Sequence, residues 1–209
     1  MIRRIFNALH KTPQANTQDD VPKIEVQEIM QKKSLFISAG HSNTDAGATA
    51  THNGKLWREA DIVLEFRDLV AKHLLDKGVQ YSKDGELGQN LPLRDAITLA
   101  STHDIAIEFH CNAFTNPNAT GVETLSRGVD YPLGNRICEV IASTLRINNR
   151  GAKGESSGQH SRLGFISRGN GIIVELFFIS NPNDLNAYLE NKEVLAERIA
   201  ELLKGVVYE

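Results

Sequence analysis

From Ser34 onward, short apolar segments alternate along the chain with longer segments in which apolar residues recur every three or four positions. The short segments are typical of buried β-strands, and the longer segments are typical of amphipathic helices. This alternation predicts an α/β fold, a single domain with a mostly parallel twisted sheet and helices on both faces. In sheets of this kind, ligands bind beyond the carboxyl ends of the strands.

The individual segments give the positions of the predicted elements. Strands are predicted at 35–38, 79–81, 105–109, 121–126 and 172–176. Helices are predicted at 57–77, 90–100, 132–147 and 192–204. Gly78 lies just past the first helix, where a helix-terminating glycine belongs.

The composition of the 209 residues is ordinary for a globular protein and excludes several classes. No apolar run approaches the ~20 residues that a membrane-spanning helix requires. The net charge of −3 argues against nucleic-acid binding by the molecule as a whole. Cys111 and Cys138 are the only cysteines, too few for a disulfide framework or a cysteine-based zinc finger.

Residues 1–33 differ from the rest of the chain, and we interpret them as an amino-terminal extension and linker before a main domain at 34–209. Apolar residues recur at helical spacing among basic ones in residues 1–11. This segment is either a helix packed on the domain, a frayed terminus, or a basic amphipathic stretch in weak contact with an anionic membrane. Polar residues interrupt it too early for a secretory signal, which favours a cytoplasmic site of synthesis.

Titratable residues lie at the ends of the predicted strands. His41 follows the first strand, His110 follows the third, and Glu175 lies among apolar neighbours in the last. Glu59 falls in the first turn of the first helix; if that helix begins at the carboxyl edge of the sheet, the glutamate and both histidines converge. Two imidazoles and one carboxylate are a common catalytic zinc set. Ordinary explanations remain open: hydrogen-bonding loop histidines, an acid favoured by the helix dipole, and a glutamate paired with an arginine.

Several segments along the chain form a recognisable set. They are 35–41, 45–48, 58–60, 93–94, 109–113, 149–151 and 174–181. Together, from about Ser34 to Tyr208, they resemble the zinc-dependent N-acetylmuramoyl-L-alanine amidases of the amidase-3 family, in the family's order. The resemblance implies hydrolysis of the amide bond between N-acetylmuramic acid and L-alanine in peptidoglycan. It implies one Zn²⁺ per chain, held by the ligands His41, Glu59 and His110, with Glu175 as the catalytic acid and base.

Three positions depart from the family's pattern. Ser42 stands where the family usually has a second glycine after the first histidine. Leu176 and Phe177 stand where it usually has a small hydroxyl residue and a glycine after the last glutamate. None of the three is a ligand, so we expect the activity to survive and the shape of the pocket to differ.

Three residues are candidates for binding the substrate. Asn112 either donates to the oxyanion of the tetrahedral intermediate or only holds the turn after His110. Arg150 and Arg168 belong to a glycine-rich loop from Arg146 to Asn170, which carries five cations and one acid. Guanidinium groups bind carboxylates bidentately, and peptidoglycan stem peptides carry free carboxylates. A merely solvated basic loop accounts for the charge equally well.

The resemblance also suggests a biological setting. The stretch 111–120 is too short for the inhibitory helix that covers the site in several cellular members of the family. With no export signal visible, we expect a monomeric bacteriophage endolysin of a Gram-negative host, made in the host cytoplasm and reaching the wall after the membrane is breached. An intracellular amidase for wall recycling is the alternative setting. A zinc carboxypeptidase acting on stem peptides and a non-catalytic peptidoglycan-binding module are the alternative functions.

Overall fold

The computed structural model describes residues 31–157 and 162–209. The strands in these residues are β1 (Leu35–Ala39), β2 (Thr49–His52), β3 (Lys55–Arg58), β4 (Ser82–Lys83), β5 (Ile105–Asn112), β6 (Val122–Ser126), β7 (Asn149–Gly154) and β8 (Ile172–Phe178). The α-helices are α1 (Glu59–Asp76), α2 (Leu93–Ala100), α3 (Tyr131–Leu145), α4 (Gly164–Ser167) and α5 (Pro182–Tyr208). Strands and helices alternate along most of the chain, as the sequence predicts.

The main sheet has six strands in the order β4-β1-β5-β8-β6-β7. Strands β4, β1, β5 and β8 run parallel to one another. Strand β6 is antiparallel to β8 and parallel to β7, so one of the five pairings reverses direction. The predicted α/β fold with a mostly parallel sheet is therefore confirmed. The carboxyl ends of β1, β5 and β8 meet at one edge, which is where the titratable residues lie.

Helices cover both faces of the sheet. Helices α1, α3 and α5 enclose the larger core, and α2 and α4 enclose a smaller one on the opposite face. In the larger core Phe66, Phe109 and Tyr188 form an edge-to-face cluster, with ring centroids 5.0 and 6.0 Å apart. Full burial of each such side chain stabilises the fold by ~1.5–3 kcal/mol. These packed helices fix the positions of the strands, and hence of the strand ends.

Two of the predictions about secondary structure are wrong. The glycine-rich segment from Arg146 to Asn170 is not one loop, because β7 and α4 lie within it. Strand β7 is formed by its pairing with β6 and has no apolar alternation of its own. The last helix begins at Pro182 rather than near Lys192. The side chain of Asn181 accepts hydrogen bonds from the backbone N–H groups of Asn183 and Asp184, and a proline fits the first turn.

Other regions differ in smaller ways. The antiparallel hairpin of β2 and β3 was not expected from the sequence. The second predicted strand, 79–81, is displaced to β4, which pairs with Phe36 and Ile37 of β1. Residues 1–11, for which the sequence leaves a packed helix, a frayed terminus or weak membrane contact open, lie outside the described residues. None of the helices in the described part of the chain is long and apolar enough to cross a membrane.

Candidate metal centre and active site

Three side chains converge at the carboxyl edge of the sheet. His41 follows β1, His110 lies near the end of β5, and Glu59 is the first residue of α1. One ligand atom from each lies within 4.8 Å of the others. The Nε2 atom of His41 and the Nδ1 atom of His110 lie 3.1 and 3.0 Å from the same oxygen, Oε1 of Glu59. The predicted convergence is therefore present in the geometry.

Glu59 is held in place by the backbone as well as by the histidines. Its Oε1 accepts a hydrogen bond from the N–H of Cys111 at 2.9 Å, and its Oε2 accepts one from the N–H of Ala48 at 2.8 Å. Although burial opposes ionisation, hydrogen bonds with His110 and His41 hold the pKa of the Glu59 carboxyl well below its usual range. The site therefore presents a fixed, ionised carboxylate, which suits a divalent cation.

The outer nitrogen of each imidazole contacts a further carboxylate. Asp45 Oδ2 lies 3.0 Å from His41 Nδ1, and Glu108 Oε1 lies 3.0 Å from His110 Nε2. Carboxylates in these positions accept the N–H of a neutral imidazole and leave the opposite nitrogen, Nε2 of His41 or Nδ1 of His110, available to a metal. Although burial opposes it, hydrogen bonds with Glu108 and Glu59 raise the pKa of His110 well above its usual value. Metal binding would therefore displace a proton from this ring.

Two glycines leave the space that the ligands occupy. A Cβ atom on Gly40 would clash with the ring of His110. A Cβ atom on Gly47 would lie 2.6 Å from both Glu59 Oε2 and the His41 ring, and Gly47 also has a left-handed φ of 63°. His41 itself has a φ of 64°, unusual for a residue with a side chain. Asn90 steadies this backbone by donating to the carbonyl oxygen of His41 at 2.7 Å.

A buried polar network extends from the site into the protein. Glu108 Oε2 and Asp84 Oδ2 both contact the hydroxyl of Ser38, at 3.2 and 2.8 Å. Asp84 Oδ1 in turn accepts a hydrogen bond from the fully buried Arg67 at 2.9 Å. Glu108 and Asp84 are not among the site residues predicted from the sequence, although Glu108 lies in an apolar strand just as Glu175 does. That shared feature, a carboxylate in a buried strand, is the signal that identifies it.

Glu175 lies on the same face of the sheet as the candidate metal ligands. It is the register partner of His110 on the adjacent strand β8, and neighbouring positions of paired strands point to the same side. Its Oε2 is enclosed and has no hydrogen-bond partner among the described residues. Burial raises the pKa of the Glu175 carboxyl to about 7. A carboxyl with this pKa exchanges protons readily near neutral pH, as a general acid and base must.

Cys111 is not part of the cluster. It is 4% exposed and belongs to the larger core on the opposite face of β5. This agrees with the alternation of side chains along a strand. The donor set, the space left by the two glycines and the unpartnered Glu175 oxygen fit a zinc ion with three protein ligands and a neighbouring proton acceptor.

A scan against protein-family models matches residues 35–206 to the N-acetylmuramoyl-L-alanine amidases of the amidase-3 family. The chain belongs to this amidase family. Within the residues that the structure describes, the match covers every strand and helix up to the last turn of α5. The family resemblance inferred from the segments is therefore confirmed.

Individual proteins are similar to this chain in sequence or in fold. The fold is similar to that of a Neisseria meningitidis protein described as an N-acetylmuramoyl-L-alanine amidase, with a TM-score of 0.74, 37% identity, and coverage of 85% of this chain and 97% of that one. The chain is 27% identical over 193 residues to the uncharacterized protein YqiI of Bacillus subtilis, covering 88% of each. It is 25% identical over 121 residues to the N-acetylmuramoyl-L-alanine amidase AmiA of Escherichia coli, spanning 57% of this chain and 41% of that protein.

The structure explains two of the departures from the amidase pattern. Between His110 and Asn112 the pairing of β5 with β8 shifts register, which adds one residue to β8. Leu176 and Phe177 consequently both point into the larger core and are fully buried, on the face opposite the candidate metal ligands. Their side chains therefore do not line the site, and their effect on the shape of the pocket stays a prediction. Ser42 pairs with Asp45 in an isolated bridge beside His41.

The candidate substrate-binding residues lie at different places. The Nδ2 atom of Asn112 donates to Glu123 Oε1 at 3.2 Å, while its Oδ1 accepts from the N–H of Ala113. Arg150 also binds Glu123, one strand away from Glu175. The guanidinium of Arg168 lies against Gly164 at the start of α4, on the face covered by α2 and α4. The structure brings Asn112 and Arg150 together, and the substrate-binding roles of all three stay predictions.

Proposed function

We propose that this protein is a zinc-dependent amidase that hydrolyses the bond between N-acetylmuramic acid and the L-alanine of the stem peptide. The observation that carries the proposal is the His41–Glu59–His110 cluster, with Glu175 beside it on the same face, in a chain of the amidase-3 family. The non-catalytic alternative is disfavoured, because the three candidate ligands and Glu175, the residues that hydrolysis needs, are all present on one face of the sheet.

The three ligand residues and Glu175 divide the chemistry between them. His41, Glu59 and His110 would hold the ion, with Asp45 and Glu108 fixing the orientation of the two rings. When bound, zinc would act as a Lewis acid that polarises a carbonyl and lowers the pKa of water towards neutrality. Glu175 accepts the proton of the attacking water at its carboxylate and then delivers it to the leaving nitrogen of L-alanine.

Product analysis of a purified muropeptide digest tests this function. The expected products are free muramic lactyl groups and peptides with an L-alanine amino terminus. Removing the metal with a chelator should abolish this hydrolysis, and adding Zn²⁺ should restore it. His41→Ala and His110→Ala should each lose metal and retain their helix and strand content, whereas the matched variant His52→Ala should behave as the wild type. Release of a carboxyl-terminal amino acid instead would establish the carboxypeptidase alternative, and metal-free activity would refute the mechanism.

We further propose that the enzyme serves host-cell lysis, as a monomer made in the cytoplasm and acting on the wall after the membrane is breached. What supports this is the short connection between β5 and β6, since its residues 113–121 contain no helix that could cover the site. Cytoplasmic expression in a Gram-negative bacterium should leave culture turbidity unchanged until the inner membrane is permeabilised, and then lower it rapidly. Absence of lysis after permeabilisation would instead favour the role in wall recycling.

A further inference from the structure

A second cluster of charged side chains adjoins the candidate active site. Its centre is Glu123 of β6, the register partner of Glu175 on the antiparallel strand β8, so both glutamates face the same side of the sheet. Glu123 Oε2 accepts hydrogen bonds from Arg150 Nε and from Lys153 Nζ, the latter at 2.7 Å. The side chain of Glu123 is 6% exposed, whereas the side chains of the two cations are 38% and 30% exposed.

The positive charge of this cluster exceeds its negative charge. Two cations share one carboxylate, so the group has a net charge of +1 beside the site. Although burial opposes it, hydrogen bonds from Lys153 and Arg150 lower the pKa of Glu123, which therefore stays ionised and keeps both cations in place. Such a half-buried excess charge is balanced by solvent or by an anionic ligand.

The guanidinium of Arg150 is held in one orientation with its outer edge available. It lies over the ring of Phe178, with its carbon 5.1 Å from the ring centroid. Only its Nε atom makes a hydrogen bond within the described residues, to Glu123. The two terminal nitrogens therefore form a preorganised fork, which matches the geometry of a carboxylate.

We propose that Arg150 and Lys153 form a binding subsite for a carboxylate of the stem peptide, with Glu123 as their positioning residue. This inference rests on the proposed function. The glycan side of the scissile amide carries no carboxylate, whereas the peptide side carries several, so an anion subsite next to Glu175 selects the peptide. The stem peptide accordingly runs from Glu175 towards β6 and β7, and the sugar lies on the side of β1.

The structure also distinguishes this pair from the other cations of the same segment. Arg168 lies beside Gly164, on the face covered by α2 and α4, and makes no side-chain hydrogen bond within the described residues. Arg146 is exposed and ends α3 in a left-handed conformation. Of the cations in the described part of this segment, Arg150 and Lys153 are the two in contact with a carboxylate that neighbours Glu175.

The test compares two soluble muropeptides that differ only in whether their stem carboxylates are free or amidated. Arg150→Gln and Lys153→Met should raise KM for the free-carboxylate substrate by about tenfold or more, the size expected for a lost charge-assisted hydrogen bond. Their kcat and zinc content should remain near wild-type values, and their KM for the amidated substrate should change little. Arg150→Lys should recover part of the loss. The matched control Arg146→Gln should leave KM for both substrates unchanged.

The possible outcomes distinguish failure of the proposed subsite from failure of the proposed amidase function. Equal KM increases on the two substrates would overturn the proposal while leaving the amidase function intact. If the wild type cleaves neither substrate, the proposed function fails, and calorimetric titration of the free dipeptide L-alanyl-γ-D-glutamate decides the subsite independently. Wild-type binding that weakens about tenfold in Lys153→Met supports it, and unchanged binding overturns it. If Arg150→Gln does not fold, the Lys153→Met and Arg150→Lys results decide the case.

Discussion

At the scale of single residues, Glu175 differs from the candidate metal ligand Glu59 in the groups that surround its carboxyl oxygens. Its Oε2 is enclosed without a hydrogen-bond partner, whereas both oxygens of Glu59 are engaged by backbone N–H groups. We predict that Glu175→Gln retains zinc and stability but loses roughly 10²–10⁴-fold in kcat, the usual size for removal of a general base. Metal analysis and steady-state kinetics measure both quantities, with the exposed Glu139→Gln as control. Wild-type activity in the Glu175 variant would remove this residue from the mechanism.

Glu108 was not predicted from the sequence to be a site residue. In the structure it contacts the outer nitrogen of His110. Its buried carboxylate lies 3.0 Å from the outer nitrogen of that ring. We predict that Glu108→Ala weakens zinc binding by about 10–100-fold, because outer carboxylates orient and polarise a ligand histidine. Competition with a chromophoric chelator measures the affinity directly. Glu108→Gln keeps an acceptor for the ring N–H and should lose less.

The exposed Asp45 provides the comparison for Glu108. It occupies the equivalent place behind His41, but its side chain is 68% exposed, and water can replace it. Asp45→Ala should therefore weaken zinc binding less than Glu108→Ala does. Equal zinc affinity in Glu108→Ala and the wild type would show that packing, rather than this carboxylate, orients His110.

At the scale of elements, the extra residue in β8 decides what the strand presents to the site. It turns both Leu176 and Phe177 into the larger core, while Phe178 lies beneath Arg150. We predict that Phe177→Ala lowers the free energy of unfolding by about 3–5 kcal/mol, because the ring is fully buried and stacks on Tyr188. Urea denaturation measures this loss, and KM of the folded variant should equal that of the wild type.

Phe178→Ala is the contrasting variant on the other side of the same strand. It also removes a buried ring, so its stability should fall. In addition it removes the surface on which the Arg150 guanidinium rests, so KM for substrates with free stem carboxylates should rise. A KM increase in Phe177→Ala as large as that in Phe178→Ala would contradict the assignment of the two rings to opposite faces.

The central elements and the converging ligands could be predicted from the sequence because their signals are local. Apolar runs show where β1, β5 and β8 end, and the apolar periodicity shows where α1 begins. Because these strands are parallel, their carboxyl ends lie together at one edge of the sheet. Strand β7 has no such signal, since its sequence is Asn-Arg-Gly-Ala-Lys-Gly and only pairing with β6 makes it a strand. Likewise, the contact between Ser38 and Asp84 depends on the pairing of β1 with β4, which no local pattern encodes.

At the scale of the whole molecule, the charges are unevenly distributed over the surface. The net charge is −3, yet the cations beside Glu123 give one side of the candidate site an excess of positive charge. The candidate metal ligands lie where β1, β5 and α1 meet, and the proposed anion subsite lies where β8, β6 and β7 meet. The two halves of the proposed substrate would therefore be recognised by different parts of one continuous sheet edge.

We expect residues 1–22 to contribute nothing to catalysis. The backbone N–H groups of Lys32 and Lys33 already donate to the carbonyl of Val207, at 3.0 and 3.1 Å, so the chain is joined to the domain after this segment. We predict that deleting residues 1–22 leaves kcat and KM for soluble muropeptides nearly unchanged. It should reduce binding to anionic vesicles, and binding of the 209-residue chain should weaken with added salt, because exposed charges are screened.

The 209-residue chain with Arg3→Gln, Arg4→Gln and Lys11→Gln is the matched control and should lose the same salt-dependent part of its vesicle binding. Vesicle binding that survives the deletion would assign the membrane contact to the domain, and a truncated protein that fails to fold would make the segment part of its core.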